Sequence, residues 1–339
     1  MNCVIFGAGA WGTAMAIHLD RLGHTVTLVP RRLEHALELS SSHENKDYLP
    51  GHRLSPSLQI GLEAEPALMD AEIVFLACPS KGLTDLLKKI GPSLRQSPSV
   101  RIVVSLCKGL DQKTFERPTE VITHAIGNQF IVATLNGPSN AQEVASGKPT
   151  ALVFAAKNID TETPQTLKEI QGAISGPTLR TYTSEDVAGV EIGGTLKNVY
   201  AVGAGLCDGL KLGDNAKAAF LTRALQEMIR LGVTLGGKSE TFLGLSGVGD
   251  LMATAHGSWS RNRGLGEKCA KDAAKTLSEV SQRRESIEGY FATETLTRLA
   301  QSKKIDAPIL FCLHQILFAG LDPRAGVTAL MTRDLKSEA

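Results

Sequence analysis

The chain has 339 residues, 42% of them hydrophobic, and its 36 Lys and Arg balance 35 Asp and Glu to a formal net charge of +1. That length can bury two sizeable cores, and the near-neutral balance argues against nucleic acid or an anionic membrane as partner, leaving small molecules as the expected ligands. The N-terminus enters a strand with no basic leader, and no uncharged stretch approaches the ~20 residues of a bilayer span, so a cytoplasmic protein without a membrane span is expected.

Residues 4 to 13, Val4-Ile5-Phe6-Gly7-Ala8-Gly9-Ala10-Trp11-Gly12-Thr13, read as a buried strand followed by three glycines at G-x-G-x-x-G spacing. Gly7 permits the tight turn out of the strand, Gly9 lets the backbone approach phosphates, and Gly12 lets the next helix pack closely on the sheet. The helix end then offers N–H groups and positive dipole to an anion. Alone the motif is weak in a chain with 33 glycines. Its context favours a dinucleotide turn over a plain strand–turn–helix: an amphipathic stretch, Ala14 to Leu22, follows it, then Gly23 and a second strand, Thr25 to Val29. At the end of that strand an NAD site usually carries Asp or Glu for the ribose 2′-hydroxyl. Here Pro30-Arg31-Arg32 stands instead. Two guanidiniums suit a 2′-phosphate, so NADPH is favoured, with NADH as the alternative. The competing reading leaves both arginines as solvated charge and lets Glu34 reach the ribose.

Short apolar runs recur between helical stretches at Ile73 to Ala77, Arg101 to Leu106, Phe130 to Leu135 and Ala151 to Ala155. The alternation predicts an α/β fold: a Rossmann-type, doubly wound parallel sheet over residues 1–185, then a mostly α-helical substrate-binding domain over 186–339. Ligands in open α/β sheets bind beyond the carboxyl ends of the strands, so reactive groups are expected from loops there and from the helical domain. Cys107-Lys108-Gly109-Leu110 and Asn136-Gly137-Pro138-Ser139-Asn140-Ala141 follow two of these strands. Lys108 is a candidate cation for substrate or cofactor, against an ordinary surface residue at a strand end. Cys3, Cys78, Cys107, Cys207, Cys269 and Cys312 are scattered without C-x-x-C or Cys/His pairing, so neither a metal nor a disulfide framework is expected.

In the helical domain one lysine, Lys197, lies within the apolar, small-residue segment Gly193 to Leu206. A lysine among Leu196, Val199 and Val202 is partly desolvated, which eases proton donation near neutral pH. Hydride delivery to a carbonyl carbon builds charge on oxygen, and an ammonium both stabilises it and supplies the proton. Against a lysine that merely snorkels from a helix edge stand Gly194, Gly203 and Gly205, each costing about 1 kcal/mol relative to alanine within a helix and so implying close approach of something. Ser246-Gly247-Val248-Gly249-Asp250 ends a glycine turn in a carboxylate able to orient that lysine, or to serve only as a turn residue or cap. Ser260, Arg261 and Asn262 precede a helical stretch and could converge on a phosphate, or again only cap the helix.

These residues, with Lys108-Gly109-Leu110, Gly137-Pro138-Ser139, Gly194-Thr195-Leu196-Lys197-Asn198, Asp208-Gly209, Gly213-Asp214-Asn215, Gly249-Asp250-Leu251 and Ser260-Arg261-Asn262, closely resemble bacterial-type NAD(P)-dependent glycerol-3-phosphate dehydrogenases over nearly the whole chain. The resemblance implies reversible reduction of dihydroxyacetone phosphate to sn-glycerol 3-phosphate for phospholipid synthesis, by a cytoplasmic homodimer. It implies Lys197 as general acid/base and Lys108, Gly137, Ser139, Asp250, Ser260, Arg261 and Asn262 as substrate positions. Gly7, Gly9 and Gly12 form the cofactor turn, to which the resemblance adds Ala10, Trp11, Arg31, Lys108, Ala141, Arg261, Ser286 and Glu288, with Arg32 as neighbour. Tyr200, Asp111, Asn136 and Ser286 depart from the family pattern; Ser286 makes Glu288 the less secure assignment. A non-catalytic NADP(H)-binding regulator has no need of Lys197, Asp250 and Arg261 together, and a reductase for another hydroxy acid would lack Ser260-Arg261-Asn262.

Overall fold

Runs of consecutive apolar, buried side chains build a sheet covered on both faces. The strands are β1 (Asn2–Phe6), β2 (Thr25–Val29), β3 (Gln59–Ile60), β4 (Ile73–Leu76), β5 (Ile102–Ser105), β6 (Ile131–Asn136), β7 (Thr150–Ala156) and β8 (Leu179–Ser184), in the order β3-β2-β1-β4-β5-β6-β7-β8. The computed structural model describes residues 1–158, 160–282, 287–335 and 337, in two units, Met1–Glu191 and Ile192–Ala339. Helices α1 (Ala10–Arg21), α2 (Leu33–Ser42), α3 (Ala64–Leu68), α4 (Leu83–Gln96), α5 (Pro118–Ile126), α6 (Ala141–Ala145) and α7 (Thr163–Ile174) connect the strands.

Alternation along each strand sends one set of side chains to each face. Ile5, Leu28, Phe75, Val104 and Phe154 pack with Met15 and Leu19 of α1 and Ile170 and Ile174 of α7. Val4, Phe6, Val74, Leu76 and Val103 pack with Leu87, Ile90 and Leu94 of α4 and Ile122 of α5. Strand order reverses between β1 and β4, which opens the crevice that α/β sheets use for ligands.

The sheet departs from the all-parallel expectation at one pair: β6 and β7 run antiparallel. The cause is the connection. Helix α6 has only five residues, about 7.5 Å of rise, whereas a six-residue strand is about 20 Å long; so short a helix cannot carry the chain back along the strand, and β7 starts from the same end. Strands β3 and β8, which the apolar runs did not announce, occupy the two sheet edges.

The second unit is helical throughout its described residues. Its elements are α8 (Val187–Gly209, whose first turn belongs to the first unit), α9 (Asp214–Thr234), α10 (Ser239–Phe242), a π-type turn at Leu245–Gly249, α11 (Asp250–His256), α12 (Arg261–Cys269), α13 (Ala273–Gln282), α14 (Glu288–Ser302), α15 (Pro308–Phe318) and α16 (Pro323–Met331). Glu227 of α9, 1% exposed, accepts from the Ile309 and Leu310 N–H groups at the start of α15 and from the Tyr200 hydroxyl. Tyr200, which departs from the family pattern, therefore braces a helix cap and is fully buried. No described helix is long and apolar enough to cross a membrane.

Candidate active site

In the first unit, the glycine turn has the three properties its spacing predicts. Gly7 sits at φ +112°, in the left-handed region, and an added Cβ would lie 2.5 Å from the Ala77 carbonyl oxygen at the end of β4. A Cβ on Gly12 would lie 2.0 Å from the Gly7 carbonyl oxygen, whereas one on Gly9 would meet no atom within 4 Å. Helix α1 starts at Ala10, four residues earlier than the amphipathic pattern indicated, and Gly9 at its N-cap supplies no side chain to satisfy the first N–H groups. The Trp11 indole nitrogen is buried with no hydrogen-bond partner among the described residues. An open approach at Gly9, an uncapped helix end and an orphaned donor fit a dinucleotide pyrophosphate. Arg31 and Arg32 are exposed at the end of β2, and Glu34 is exposed in the first turn of α2.

Beyond β5 and β6 the chain brings Lys108, Gly137 and Ser139 together. Lys108 Nζ donates to the Gly137 carbonyl at 3.3 Å and to Ser139 Oγ at 3.5 Å, and Ser139 Oγ donates to the same carbonyl at 2.9 Å. Gly137 adopts φ +137°, and Ala141 opens α6, which Asn140 caps by accepting from the Glu143 N–H. Asn136, another departure from the family pattern, donates its amide to Thr134 Oγ1 at 2.7 Å. Cys78 and Cys107, 29 residues apart in sequence, follow the neighbouring strands β4 and β5 and bring their sulfurs to 3.8 Å. The Cys107 thiol, pushed well up by that bond and by burial, leaves Cys78 below the ordinary thiol range.

In the second unit, Lys197 is 6% exposed and Asp250 1%. Lys197 Nζ donates to Asp250 Oδ1 at 3.0 Å and to Thr254 Oγ1 at 2.8 Å, and Thr254 Oγ1 lies 3.3 Å from the same carboxylate oxygen. The π-type turn delivers Asp250 to the first residue of α11, and Thr254 lies four residues on, on the same helix face. Sequence reading missed Thr254, and that i, i+4 spacing from Asp250 is the signal that finds it.

Arg261 and Asn262 begin α12 rather than precede it. Ser260 is the N-cap and accepts from the Arg263 N–H at 3.2 Å, the capping role weighed against ligand binding. Asn262 donates to Asn198 Oδ1 at 2.7 Å and accepts from the Gly289 N–H at 2.9 Å, and Asn198 donates to Glu288 Oε2 at 2.9 Å. The Asn262 side chain therefore ties α8 to the start of α14, while Arg261 is exposed. Ser286 lies outside the described residues. Two of the helix glycines have a different explanation from a ligand: Gly203 is approached by the Phe220 ring, and Gly205 by the backbone of Arg263.

Two family models match this chain, the NAD-dependent glycerol-3-phosphate dehydrogenase N-terminus over residues 2–162 and the C-terminus over residues 186–328. The chain belongs to the NAD-dependent glycerol-3-phosphate dehydrogenase family. Among its relatives, glycerol-3-phosphate dehydrogenase [NAD(P)+] of Thermoanaerobacter sp. (strain X514) is 41% identical over all of this chain and 99% of its own length. The enzyme of that name from Thermus thermophilus is also 41% identical, over the full length of both. The crystal structure of glycerol-3-phosphate dehydrogenase from Coxiella burnetii superposes with a TM-score of 0.89 at 34% identity, covering 98% of each chain.

Proposed function

We propose that this chain reduces dihydroxyacetone phosphate to sn-glycerol 3-phosphate, reversibly, with NADPH favoured over NADH, as a cytoplasmic homodimer that supplies phospholipid synthesis. The observation that carries the reading is the buried Lys197–Asp250–Thr254 cluster, a cation bonded to a carboxylate and a hydroxyl in a chain that also carries a dinucleotide turn. When bound, the nicotinamide cofactor supplies a hydride to the ketone carbon.

The chain's own residues do the rest. Gly7, Gly9 and Gly12 admit the pyrophosphate to the start of α1, beside Ala10 and Trp11, and Arg31 with Arg32 complements the 2′-phosphate. Arg261 holds the substrate phosphate as a bidentate fork from the first turn of α12; Asn262, through Asn198 and Gly289, fixes where that turn sits. Lys197 donates a proton to the ketone oxygen as charge develops there, and in reverse accepts it from the 2-hydroxyl. Asp250 and Thr254 keep Nζ from swinging between rotamers, so positioning and charge complementarity carry most of the catalysis. Lys108, with Gly137 and Ser139, adds a second cation, and Ala141 and Glu288 complete the cofactor contacts.

The deciding assay follows NADPH absorbance with purified protein and dihydroxyacetone phosphate, unphosphorylated dihydroxyacetone or no substrate, and repeats the first arm with NADH. Turnover confined to the phosphate ester, with higher kcat/KM for NADPH than NADH, is expected. Equal turnover of both ketones would remove Arg261 from the reading, and NADH preference would return Arg31 and Arg32 to ordinary surface charge.

A further inference from the structure

Asn45 lies outside every motif considered so far, in the connection after α2, yet it is 1% exposed and makes three side-chain hydrogen bonds. Its Nδ2 donates to the Ala8 carbonyl at 3.0 Å and to Thr13 Oγ1 at 2.7 Å, and its Oδ1 is 3.2 Å from His35 Nε2. A backbone carbonyl can only accept, so the amide NH2 must face Ala8, and Oδ1 is left to accept from His35 Nε2–H. His35 is itself buried and packs against Tyr48, with ring centroids 5.4 Å apart and the planes tilted by 46°.

Ala8 stands between Gly7 and Gly9. In a planar trans peptide the carbonyl of one residue and the N–H of the next point in opposite directions. Capturing the Ala8 carbonyl therefore aims the Gly9 N–H away from Asn45, at a residue where an added Cβ would meet no atom within 4 Å. The second bond, to Thr13, fixes the same amide to the first turn of α1, so one side chain sets the glycine turn against the helix end.

We infer that Asn45 is a positioning residue for the cofactor, orienting the Ala8–Gly9 peptide so that its N–H faces the dinucleotide pyrophosphate, with His35 holding the Asn45 amide in register. The inference rests on the dinucleotide reading of the turn. Asn45 touches neither substrate nor the reacting atoms; it acts through the backbone.

The test compares wild type, Asn45→Asp and His35→Leu by fluorescence titration of the substrate-free protein with NADPH and by steady-state kinetics. Asn45→Asp keeps the shape but loses both donors and sets a carboxylate against the Ala8 carbonyl. The Kd and KM for NADPH are expected to rise about tenfold or more, with kcat and the KM for dihydroxyacetone phosphate within about twofold of wild type. His35→Leu frees the amide to turn over and is expected to give a smaller rise of the same kind, which keeps the inference testable if Asn45→Asp does not fold. A purely structural role would lower melting temperature or active fraction without changing Kd, and an unchanged Kd in the folded variants would overturn the inference. Failure of the wild type to bind either NADPH or NADH would instead remove the dinucleotide reading itself.

Discussion

An ammonium removed from water needs partners, and Asp250 and Thr254 are among those of Lys197. The dependence is mutual, since Asp250 is as deeply buried as any carboxylate among the described residues. Lys197→Ala should therefore have two separable effects. Turnover should fall by orders of magnitude, as the proton donor is gone, and stability should fall by about 3–5 kcal/mol, because an uncompensated carboxylate remains inside. Adding Asp250→Asn to Lys197→Ala should restore much of the stability and none of the turnover. Thermal denaturation beside steady-state kinetics checks both, and a Lys197→Ala protein with wild-type kcat would end the assignment. Lys197 and Asp250 could be picked out in the sequence because a charge within an apolar run, or closing a glycine turn, is chemically conspicuous. Thr254 is marked only by its i, i+4 spacing from Asp250, and Asn45 by nothing, since an asparagine in a loop is ordinary until its partners are known.

At the scale of elements, the site depends on how closely α8 approaches α12. A Cβ on Gly266 would lie 1.9 Å from the Val202 carbonyl oxygen, and one on Gly205 1.9 Å from that of Arg263. Backbone faces backbone there, and no rotamer change relieves the clash. Gly266→Ala should force the helices apart, costing about 1–3 kcal/mol or more. It should also raise the KM for dihydroxyacetone phosphate more than that for NADPH, because Lys197 lies on α8 and Arg261 on α12. Gly264→Ala, on the same helix with nothing within 4 Å, should instead be neutral or stabilising by about 0.5–1 kcal/mol. Melting temperatures and the two KM values separate the outcomes. Gly203 and Gly205 mark the limit of reading elements from sequence: they signalled a close approach, but not that a helix rather than a ligand makes it. Strands β1, β2 and β4 to β7 were legible as apolar runs. β3 is two residues long, and β8, Leu-Arg-Thr-Tyr-Thr-Ser, alternates with exposed positions at a sheet edge. The direction of β7 left no trace either, since an apolar run reads the same both ways.

For the molecule as a whole, a net charge of +1 leaves little global repulsion near neutral pH, so individual buried groups should set how stability varies there. The largest candidate is Glu191, fully enclosed where it accepts from the Thr119 N–H at 2.9 Å and Thr119 Oγ1 at 2.6 Å, with Arg117 at 3.4 Å. Burial outweighs these partners and raises its carboxyl from 4.5 to about 7. The folded state therefore holds a proton that the unfolded chain releases between those values, so the group's contribution is complete below pH 4.5 and is lost as pH rises to about 7. The shift corresponds to about 3 kcal/mol. His18 acts in the opposite sense: burial lowers it, so stability should gain from this group as pH rises through the range in which the unfolded imidazole loses its proton. Glu191→Gln separates the two, because the amide resembles the protonated acid at every pH and leaves His18 untouched. Relative to that variant, wild type should lose about 3 kcal/mol between pH 4.5 and pH 7 and no more above it, measured by urea denaturation across the range. Parallel curves for the two proteins would mean that Glu191 is already ionised in the folded state, with Arg117 and Thr119 sufficient to hold its charge.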